Sequence, residues 1–294
     1  MPMEIITDED LKLKRAGFYW RASLEHKEVR VLCCAPLERN GLANGFSTRT
    51  GGTSSLPHDA LNLAGFSIDA AENIAENRRR FLNSFKGHWT LATCWQVHGA
   101  TVRAVRNTDD ARCNANERCD ALITDTANVL VGVQTADCVP VLLGDARTGA
   151  SAAIHAGWRG TSISIVGQTL QRMSAEYGTR VEDVRAAIGP AASACCYEVG
   201  AEVIELFRER FAYADDLLTE TRAGHGRIDL QRANCNQLIA AGIDESRIHI
   251  APFCTMCRTD FFFSYRRENA SHGRTGRLLA VIGRAEMASN QLKG

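Results

Sequence analysis

A series of short apolar runs in the middle of the chain places the strongest constraint on the fold. The runs cover residues 121–124, 129–133, 139–143 and 151–154, are rich in Val, Ile and Leu, and are separated by Asp, Gly or Asn. Runs of this length between turn-forming residues are typical of buried β-strands. The sequence therefore predicts four adjacent strands at the centre of the protein.

The segments around this region combine helical and strand patterns. Amphipathic helices are predicted at 71–85, 163–177 and 229–241, and further strands at 184–188, 247–251, 261–265 and 278–282. Because several strands follow one another with few helices between them, the pattern indicates an α+β fold of mixed sheets flanked by helices. No linker-like tract interrupts the sequence, so we expect a single domain over residues 1–294.

Composition and charge exclude several classes of protein. The 34 Lys and Arg residues balance the 34 Asp and Glu residues, which gives a formal net charge of +0. Proteins that bind duplex nucleic acid usually carry a basic excess, so we expect no nucleic acid partner. There is no run of about 18 apolar residues that would predict a membrane span, and the acidic N-terminal segment does not resemble a signal peptide. We expect a soluble, cytoplasmic protein.

Three segments place a possible metal ligand or nucleophile at the end of an apolar run. They are WQVHG at 95–99, QTADCVP at 134–140 and AIHAGWRG at 153–160. His98, Cys138 and His155 lie at these junctions, and two imidazoles with one thiolate suit zinc, with a fourth position left for water. The same residues also suit a cysteine nucleophile with a histidine base. On the residues alone, both interpretations stay open.

The other cysteines give a weaker signal. The chain has 11 cysteines, an odd number, and they are spread along its whole length. This distribution does not indicate a disulfide framework. Cys195 and Cys196 are too close in sequence to form a disulfide easily. Cys254 and Cys257 would need two more ligands nearby to form a structural zinc site. We therefore interpret them as ordinary buried or surface thiols.

Taken in order, the three segments and other motifs resemble the YfiH family, also described as the laccase-domain or polyphenol oxidase family. The other motifs are GFSTRTGGTS (45–54), LNL (61–63), NRR (77–79), CDALIT (119–124), IGP (188–190), CYEVG (196–200), IDL (228–230), CT (254–255), FFSYRRE (262–268) and TGR (275–277). The resemblance covers roughly residues 30–284 and leaves 1–28 as a peripheral segment. It implies a single layered domain whose catalytic centre is a zinc ion held by His98, Cys138 and His155.

The resemblance also implies an activity. Members of the family are purine nucleoside phosphorylases that act on adenosine, inosine and S-methyl-5'-thioadenosine, with adenosine deaminase activity beside phosphorolysis. A purine nucleoside and phosphate are therefore the implied partners. Arg suits a phosphate site because it can bind an oxyanion through two N–H groups, and the candidates are Arg49, Arg159, Arg266 and Arg267.

The sequence departs from the family pattern at two places, and three alternative functions stay open. Asn44 stands where the family often has His, and the segment 267–274 is longer than the usual turn. The alternatives are a laccase-type polyphenol oxidase with copper, a Cys-His hydrolase with Cys138 as nucleophile, and a metal-stabilised protein that binds a partner. Multi-copper chemistry requires a His-rich ligand set, and the 8 His residues include no His-x-His motif.

Overall fold

The computed structural model describes residues 7–56, 59–64, 69–113 and 116–286, and within them the chain forms sixteen strands and ten helices. The strands are β1 (Phe18–Ala22), β2 (Arg30–Cys34), β3 (Leu42–Ser47), β4 (Thr50–Ser54), β5 (Thr90–Ala92), β6 (Val102–Ala104), β7 (Ala121–Thr124), β8 (Val129–Thr135), β9 (Val139–Asp145), β10 (Ser151–Ala156), β11 (Val184–Ile188), β12 (Glu198–Gly200), β13 (Leu218–Arg222), β14 (His225–Ile228), β15 (Ile248–Ile250) and β16 (Leu278–Arg284). The helices are α1 (Asp8–Arg15), α2 (Ala35–Glu38), α3 (Ala71–Leu82), α4 (Thr108–Cys113), α5 (Trp158–Ser162), α6 (Ile165–Tyr177), α7 (Ala201–Arg210), α8 (Ala214–Leu217), α9 (Leu230–Ala240) and α10 (Tyr265–His272).

Two six-stranded mixed sheets form the centre of the fold. Sheet 1 has the order β1-β2-β3-β16-β8-β5, and sheet 2 has the order β15-β11-β9-β10-β7-β6. Neighbouring strands are antiparallel except for β5 with β8, β6 with β7 and β11 with β15, which are parallel. A three-stranded antiparallel sheet has the order β12-β14-β13. This topology confirms the predicted α+β class with mixed sheets and helices.

The two large sheets share a core, and helices bury the opposite face of each. Val131 of β8 and Leu142 of β9 belong to the cluster between the sheets. Leu130 of β8 instead joins a cluster with Phe81 of α3, and Leu143 of β9 joins one formed with residues of α6 and α9. Because both faces of these central strands are buried, their sequences are continuous apolar runs and not an alternating pattern.

Most predicted strands are confirmed, but their arrangement differs from the prediction. The strands predicted at 121–124, 129–133, 139–143, 151–154, 184–188, 247–251 and 278–282 correspond to β7, β8, β9, β10, β11, β15 and β16. The prediction that the four central strands are adjacent is wrong for β8, which lies in sheet 1 while β7, β10 and β9 are neighbours in sheet 2. Apolar periodicity reports burial and not pairing, so it could not reveal that the chain crosses between the sheets at 136–138.

The strand predicted at 261–265 is wrong. Phe262 and Phe263 are both fully buried in the core between the sheets, whereas a strand would direct them to opposite faces. Ser264 then caps α10, because its side chain accepts a hydrogen bond from the backbone N–H of Arg267. The helix predicted at 163–177 is confirmed as α6, which begins two residues later because Ser164, with a φ of 55°, separates it from α5. The helices predicted at 71–85 and 229–241 are confirmed, with shorter ends, as α3 and α9.

The N-terminal segment that was predicted to be peripheral joins sheet 1. It contributes α1 and then β1, which pairs with β2 at the edge of the sheet. The organisation of the whole chain as one domain stays a prediction. Across the described ranges, every helix is too short or too polar to cross a bilayer.

The core between the sheets leads to a prediction about stability. Leu142 is fully buried there, so Leu142→Ala should lower the free energy of unfolding by about 2–5 kcal/mol because it leaves a cavity. Urea unfolding followed by circular dichroism measures the change. Leu24→Ala is the control because Leu24 is 71% exposed, and it should change the same quantity by less than about 0.5 kcal/mol. Equal unfolding free energies for the two variants would contradict this packing.

Candidate metal centre

His98, Cys138 and His155 come together at one end of sheet 2. Cys138 directly precedes β9, and His155 lies in β10, where it is paired across the sheet with Pro140. His98 lies in the loop between β5 and β6. One ligand-capable atom from each of the three side chains lies within 4.8 Å of the others. The fold thus gathers the three predicted residues into one place, called the His-Cys-His site below.

The buried carboxylate of Asp120 connects two of these residues. Its Oδ1 accepts hydrogen bonds from Nδ1 of His155 at 2.8 Å and from the backbone N–H of His98 at 2.9 Å. Its Oδ2 accepts from the backbone N–H groups of Gly99 at 2.7 Å and Val97 at 3.2 Å. Because His155 donates through Nδ1, its Nε2 is free for a metal, as is typical of zinc-bound histidines. Sequence reasoning missed Asp120, although it lies in the CDALIT motif directly before an apolar run.

The charges of the site favour the thiolate form of Cys138. Burial opposes ionisation of Asp120, but hydrogen bonds from His155 and the backbone of Gly99 lower its pKa. Burial likewise opposes ionisation of Cys138, yet His155 and His98 lower its pKa to about 6. Burial would lower the pKa of His155, but the Cys138 thiolate and Asp120 outweigh it and raise the pKa to about 9. Thiolate is the form of cysteine that binds metal ions or acts as a nucleophile.

The backbone on both sides of the site adopts rare conformations. His98 has a φ of 59° and Asp137 a φ of 90°, in a region that non-glycine residues seldom occupy. The carboxylate of Asp137 accepts hydrogen bonds from the hydroxyls of Thr255 at 2.7 Å and Ser264 at 3.0 Å, and from the backbone N–H of Arg266 at 2.7 Å. These bonds hold the residue before Cys138 in its strained conformation. Strain of this kind clusters at functional sites.

Gly157 leaves space beside the ligand-capable atoms. A Cβ atom at this position would lie 3.0 Å from Sγ of Cys138 and 3.3 Å from Cδ2 of His98. Its φ of -70° is open to any residue, so space and not conformation demands glycine. Two imidazole nitrogens and one thiolate around such a space fit a zinc ion with three protein ligands.

The four arginines that were predicted as candidates for phosphate binding have different surroundings. Arg49 forms an ion pair with Glu268 and donates to the carbonyl oxygen of Thr259 at 2.9 Å. Its N–H groups therefore already have protein acceptors, and it anchors the turn between β3 and β4 to the segment before α10. Arg159 is exposed instead, with its guanidinium carbon 4.1 Å from the ring centroid of Trp158.

The two arginines of α10 face the loops around the site. The guanidinium carbon of Arg266 lies 4.9 Å from the ring centroid of Tyr197, and one of its N–H groups donates to the carbonyl oxygen of Glu198 at 3.2 Å. Arg267 donates to the carbonyl oxygen of Met256 at 3.2 Å. Arg266 therefore lies beside the His-Cys-His site through its backbone bond to Asp137, whereas Arg267 faces the neighbouring loop.

Arg277 is a cation near the site that sequence reasoning did not select. It directly precedes β16 and is partly buried. Burial lowers its pKa, while the negative charge of Cys138 acts in the opposite direction, which places the guanidinium within electrostatic reach of the thiolate. The TGR motif at 275–277 was the available signal.

Asn44, where the sequence departs from the family pattern, has a structural role in sheet 1. It is fully buried in β3. Its Oδ1 accepts from the backbone N–H of Cys34 at 2.8 Å, and its Nδ2 donates to the carbonyl oxygen of Cys34 at 3.1 Å. The side chain thus supplements the pairing of β2 with β3.

Two concave regions lie close to Arg49 and not at the His-Cys-His site. A cavity of about 300 Å³ is lined by Arg49, Glu268 and Thr275, and one of about 800 Å³ also includes Arg49 and Glu268. His98, Cys138 and His155 line neither of them. Since His98 is exposed, the site is open to the surface.

The fold and the site define a layered α+β protein with a candidate mononuclear metal centre. The chain belongs to the family described as multi-copper polyphenol oxidoreductase laccase, whose model matches residues 43–285. Its structure is similar to the crystal structure of Bacillus licheniformis hypothetical protein YfiH, with a TM-score of 0.80, 29% identity, and coverage of 86% of this chain and 96% of that one. The resemblance to the YfiH family is therefore confirmed.

Relatives with named activities are also similar to the chain. It is 36% identical over 263 residues to purine nucleoside phosphorylase YlmD of Geobacillus stearothermophilus. The aligned region covers 86% of this chain and 94% of that protein. It is 40% identical over 162 residues to adenosine deaminase RL5 from an unknown prokaryotic organism. This aligned region covers 55% of this chain and 62% of that protein.

The space at Gly157 leads to a prediction about metal binding. Gly157→Ala should lower the affinity of the His-Cys-His site for zinc by roughly 10–100-fold, the range for disturbed support of a metal site, because the new methyl group crowds Cys138 and His98. Gly200→Ala is the matched control: Gly200 is also a helix N-cap, with φ -85° and ψ 174°, and its Cβ would meet no atom within 4 Å. Competition with a chromogenic chelator measures both affinities. The crowding argument fails if the two variants bind zinc equally well.

Proposed function

We propose that the protein is a zinc-dependent purine nucleoside phosphorylase with adenosine deaminase activity, acting on adenosine, inosine and S-methyl-5'-thioadenosine. His98, Cys138 and His155 would hold the metal and form the catalytic centre. The observation that carries the proposal is the convergence of these three side chains in a chain with relatives named purine nucleoside phosphorylase and adenosine deaminase.

The donor set supports zinc over copper of the laccase type. Two imidazoles and one thiolate with an open fourth position are typical of catalytic zinc, whereas a multi-copper centre requires many histidines. In the part of the chain that the structure describes, the groups of possible ligands are the His-Cys-His site and a set of four cysteines. Neither group is rich in histidine.

The residues around the metal position have separate tasks in this proposal. A bound zinc ion supplies a Lewis acid that acidifies water and polarises substrate groups, which is the chemistry that deamination at C6 of adenine requires. Asp120 holds the ring of His155 in place through Nδ1. Trp95, 58% exposed, and Tyr265, 48% exposed, offer aromatic faces on which a purine can stack. Trp95 lies three residues before His98, and Tyr265 directly precedes Arg266.

Phosphorolysis additionally requires a cation that directs phosphate to C1' of the nucleoside. Arg159 supports this role because it is exposed and follows His155 by four residues. No ion pair within the described ranges involves it, so its N–H groups are open to an oxyanion. Arg266 is the second candidate because its backbone is bound to Asp137 beside Cys138. Arg49 is a weaker candidate, since Glu268 and backbone carbonyls occupy its donors.

A Cys-His hydrolase is the alternative favoured by a specific observation, the proximity of Cys138 to two imidazoles. Alkylation of Cys138 by iodoacetamide in zinc-loaded protein separates the two functions. A metal-bound thiolate is protected, whereas a free nucleophile reacts quickly.

The shared metal centre leads to a prediction for both reactions. Cys138→Ala should lose the zinc ion of the His-Cys-His site and the formation of both adenine and inosine from adenosine, because a lost thiolate ligand weakens that metal site. Chromatography of the products with and without phosphate, beside zinc analysis of the same sample, measures this. Cys235→Ala is the matched control because Cys235 is a buried thiol in α9, and it should keep zinc and both products.

Two results would contradict this assignment. Undiminished inosine formation by Cys138→Ala would place deamination at another site. Full zinc content in Cys138→Ala, His98→Ala and His155→Ala would show that these side chains are not the ligands.

The proposed phosphate contact leads to a prediction that separates the two activities. Arg159→Ala should raise the KM for phosphate about 10–100-fold, the effect of losing a charged hydrogen bond worth about 1.5–3 kcal/mol. Zinc content should stay unchanged because Arg159 is not a metal ligand. Deamination without phosphate should also stay unchanged, because that reaction uses no oxyanion. Arg208→Ala is the control, since Arg208 lies in α7 and pairs with Asp215. Unchanged phosphorolysis in Arg159→Ala would move the phosphate site to Arg266.

A further inference from the structure

Four cysteines that the proposed function does not use converge at the surface. Cys195 and Cys196 lie in the loop between β11 and β12, and Cys254 and Cys257 lie in the segment between β15 and α10. All four sulfur atoms lie within 4.8 Å of one another. We call this group the four-cysteine cluster. The fold thus supplies the two additional cysteines that Cys254 and Cys257 would need to form a structural metal site.

The convergence follows from the pairing of two strands. β11 and β15 are parallel neighbours, so the loops that follow them leave sheet 2 at the same edge. The pairing continues beyond the strands as a bridge between Ala191 and Cys254, and the backbone N–H of Thr255 donates to the carbonyl oxygen of Ala191 at 3.0 Å. Both loops are thus held in register where the cysteines lie.

The local backbone presents the sulfurs as metal ligands. The backbone N–H groups of Cys257 and Arg258 both donate to the carbonyl oxygen of Cys254, at 3.2 Å and 3.0 Å, so the Cys-x-x-Cys segment closes into a tight turn. The backbone N–H of Ser193 donates to Sγ of Cys254 at 3.4 Å, a contact that stabilises a thiolate. Arg267 donates to the carbonyl oxygen of Met256 inside this turn and brings a positive charge close to the cluster.

The sulfur spacing matches a tetrahedral site. Zinc–thiolate bonds of about 2.3 Å put neighbouring sulfurs about 3.8 Å apart. Sγ of Cys257 lies 3.3 Å from Sγ of Cys196 and 3.6 Å from Sγ of Cys195. A disulfide would join only one pair at about 2.05 Å, whereas here one sulfur has two close neighbours. Four thiolates fill all positions of a tetrahedral zinc site, and closed sites of this kind are structural.

We infer that the four-cysteine cluster binds a second metal ion, a structural divalent cation of the zinc type that fastens the two loops together. Thr255 lies between Cys254 and Cys257 in the sequence, and its hydroxyl donates to Asp137, the neighbour of Cys138. The ion would therefore also steady the segment that holds Asp137 in its strained conformation. The two sites share no ligand, so metal binding by the four-cysteine cluster can be measured separately from the proposed nucleoside chemistry.

The first test measures metal content in the full-length protein. Wild type loaded with zinc should contain about two ions per chain, and the His98→Ala/His155→Ala double variant about one, held by four thiolates. After cobalt replaces zinc, the double variant should show a strong thiolate-to-cobalt charge-transfer band. Adding Cys195→Ala or Cys257→Ala to the double variant should remove the remaining ion and weaken the band. Adding Cys235→Ala is the matched control and should change neither.

A second measurement does not depend on how well the variants fold. Cys195 and Cys257 are exposed, so free thiols there would react at once with Ellman's reagent. In zinc-loaded wild type they should react slowly, and a strong chelator should release them. The inference is overturned if the double variant contains no metal, if the exposed thiols react at the same rate with and without zinc, or if peptide mapping finds a disulfide within the cluster. Because the double variant lacks the His-Cys-His site, these results do not depend on the nucleoside activities.

Discussion

The buried carboxylate of Asp120 is the interaction on which the arrangement of the site depends. It is fully buried, and four donors surround it: the ring of His155 and the backbone N–H groups of residues 97–99. A buried charge without such partners is strongly destabilising, so the loop that carries His98 has to close against β7 and β10. One charge therefore sets both the ring of His155 and the left-handed backbone of His98. The space between them, kept open by Gly157, is a consequence of that closure.

Asp137 makes the corresponding connection on the other side of Cys138. Its carboxylate gathers Thr255, Ser264 and the backbone of Arg266, all from the segment between β15 and the first turn of α10. The four-cysteine cluster closes the same segment against the loop after β11. Residues far from one another in the chain thus meet around a short crossing between the two sheets. The open surface at this crossing, with exposed aromatic and arginine side chains, suits a planar base and an oxyanion better than an electron-transfer centre with several copper ions.

Much of the fold was predictable because buried segments appear in the sequence as runs of apolar residues. Strands such as β7 and β11 are mostly apolar, since sheets and helices cover both of their faces, and their first and last residues were predicted correctly. The strand predicted at 261–265 failed for the same physical reason, because Phe262 and Phe263 are apolar and buried without pairing. Apolar character alone does not distinguish a paired strand from a packed loop. The three proposed ligands were found from their position at the ends of apolar runs, while Asp120 was missed because its role depends on partners elsewhere in the chain.

The sequence by itself determined which segments are buried, which donor types are present and which family the chain belongs to, because apolar runs and motif order are local properties. Only the tertiary structure decided that β8 lies in the other sheet, that Asp120 bonds to His155 35 positions away, and that Cys196 lies beside Cys257 61 positions away. Strand pairing produces each of these results, and pairing is selected by the packing of the whole core. The same two cysteine pairs would be unrelated thiols if β11 and β15 did not lie side by side.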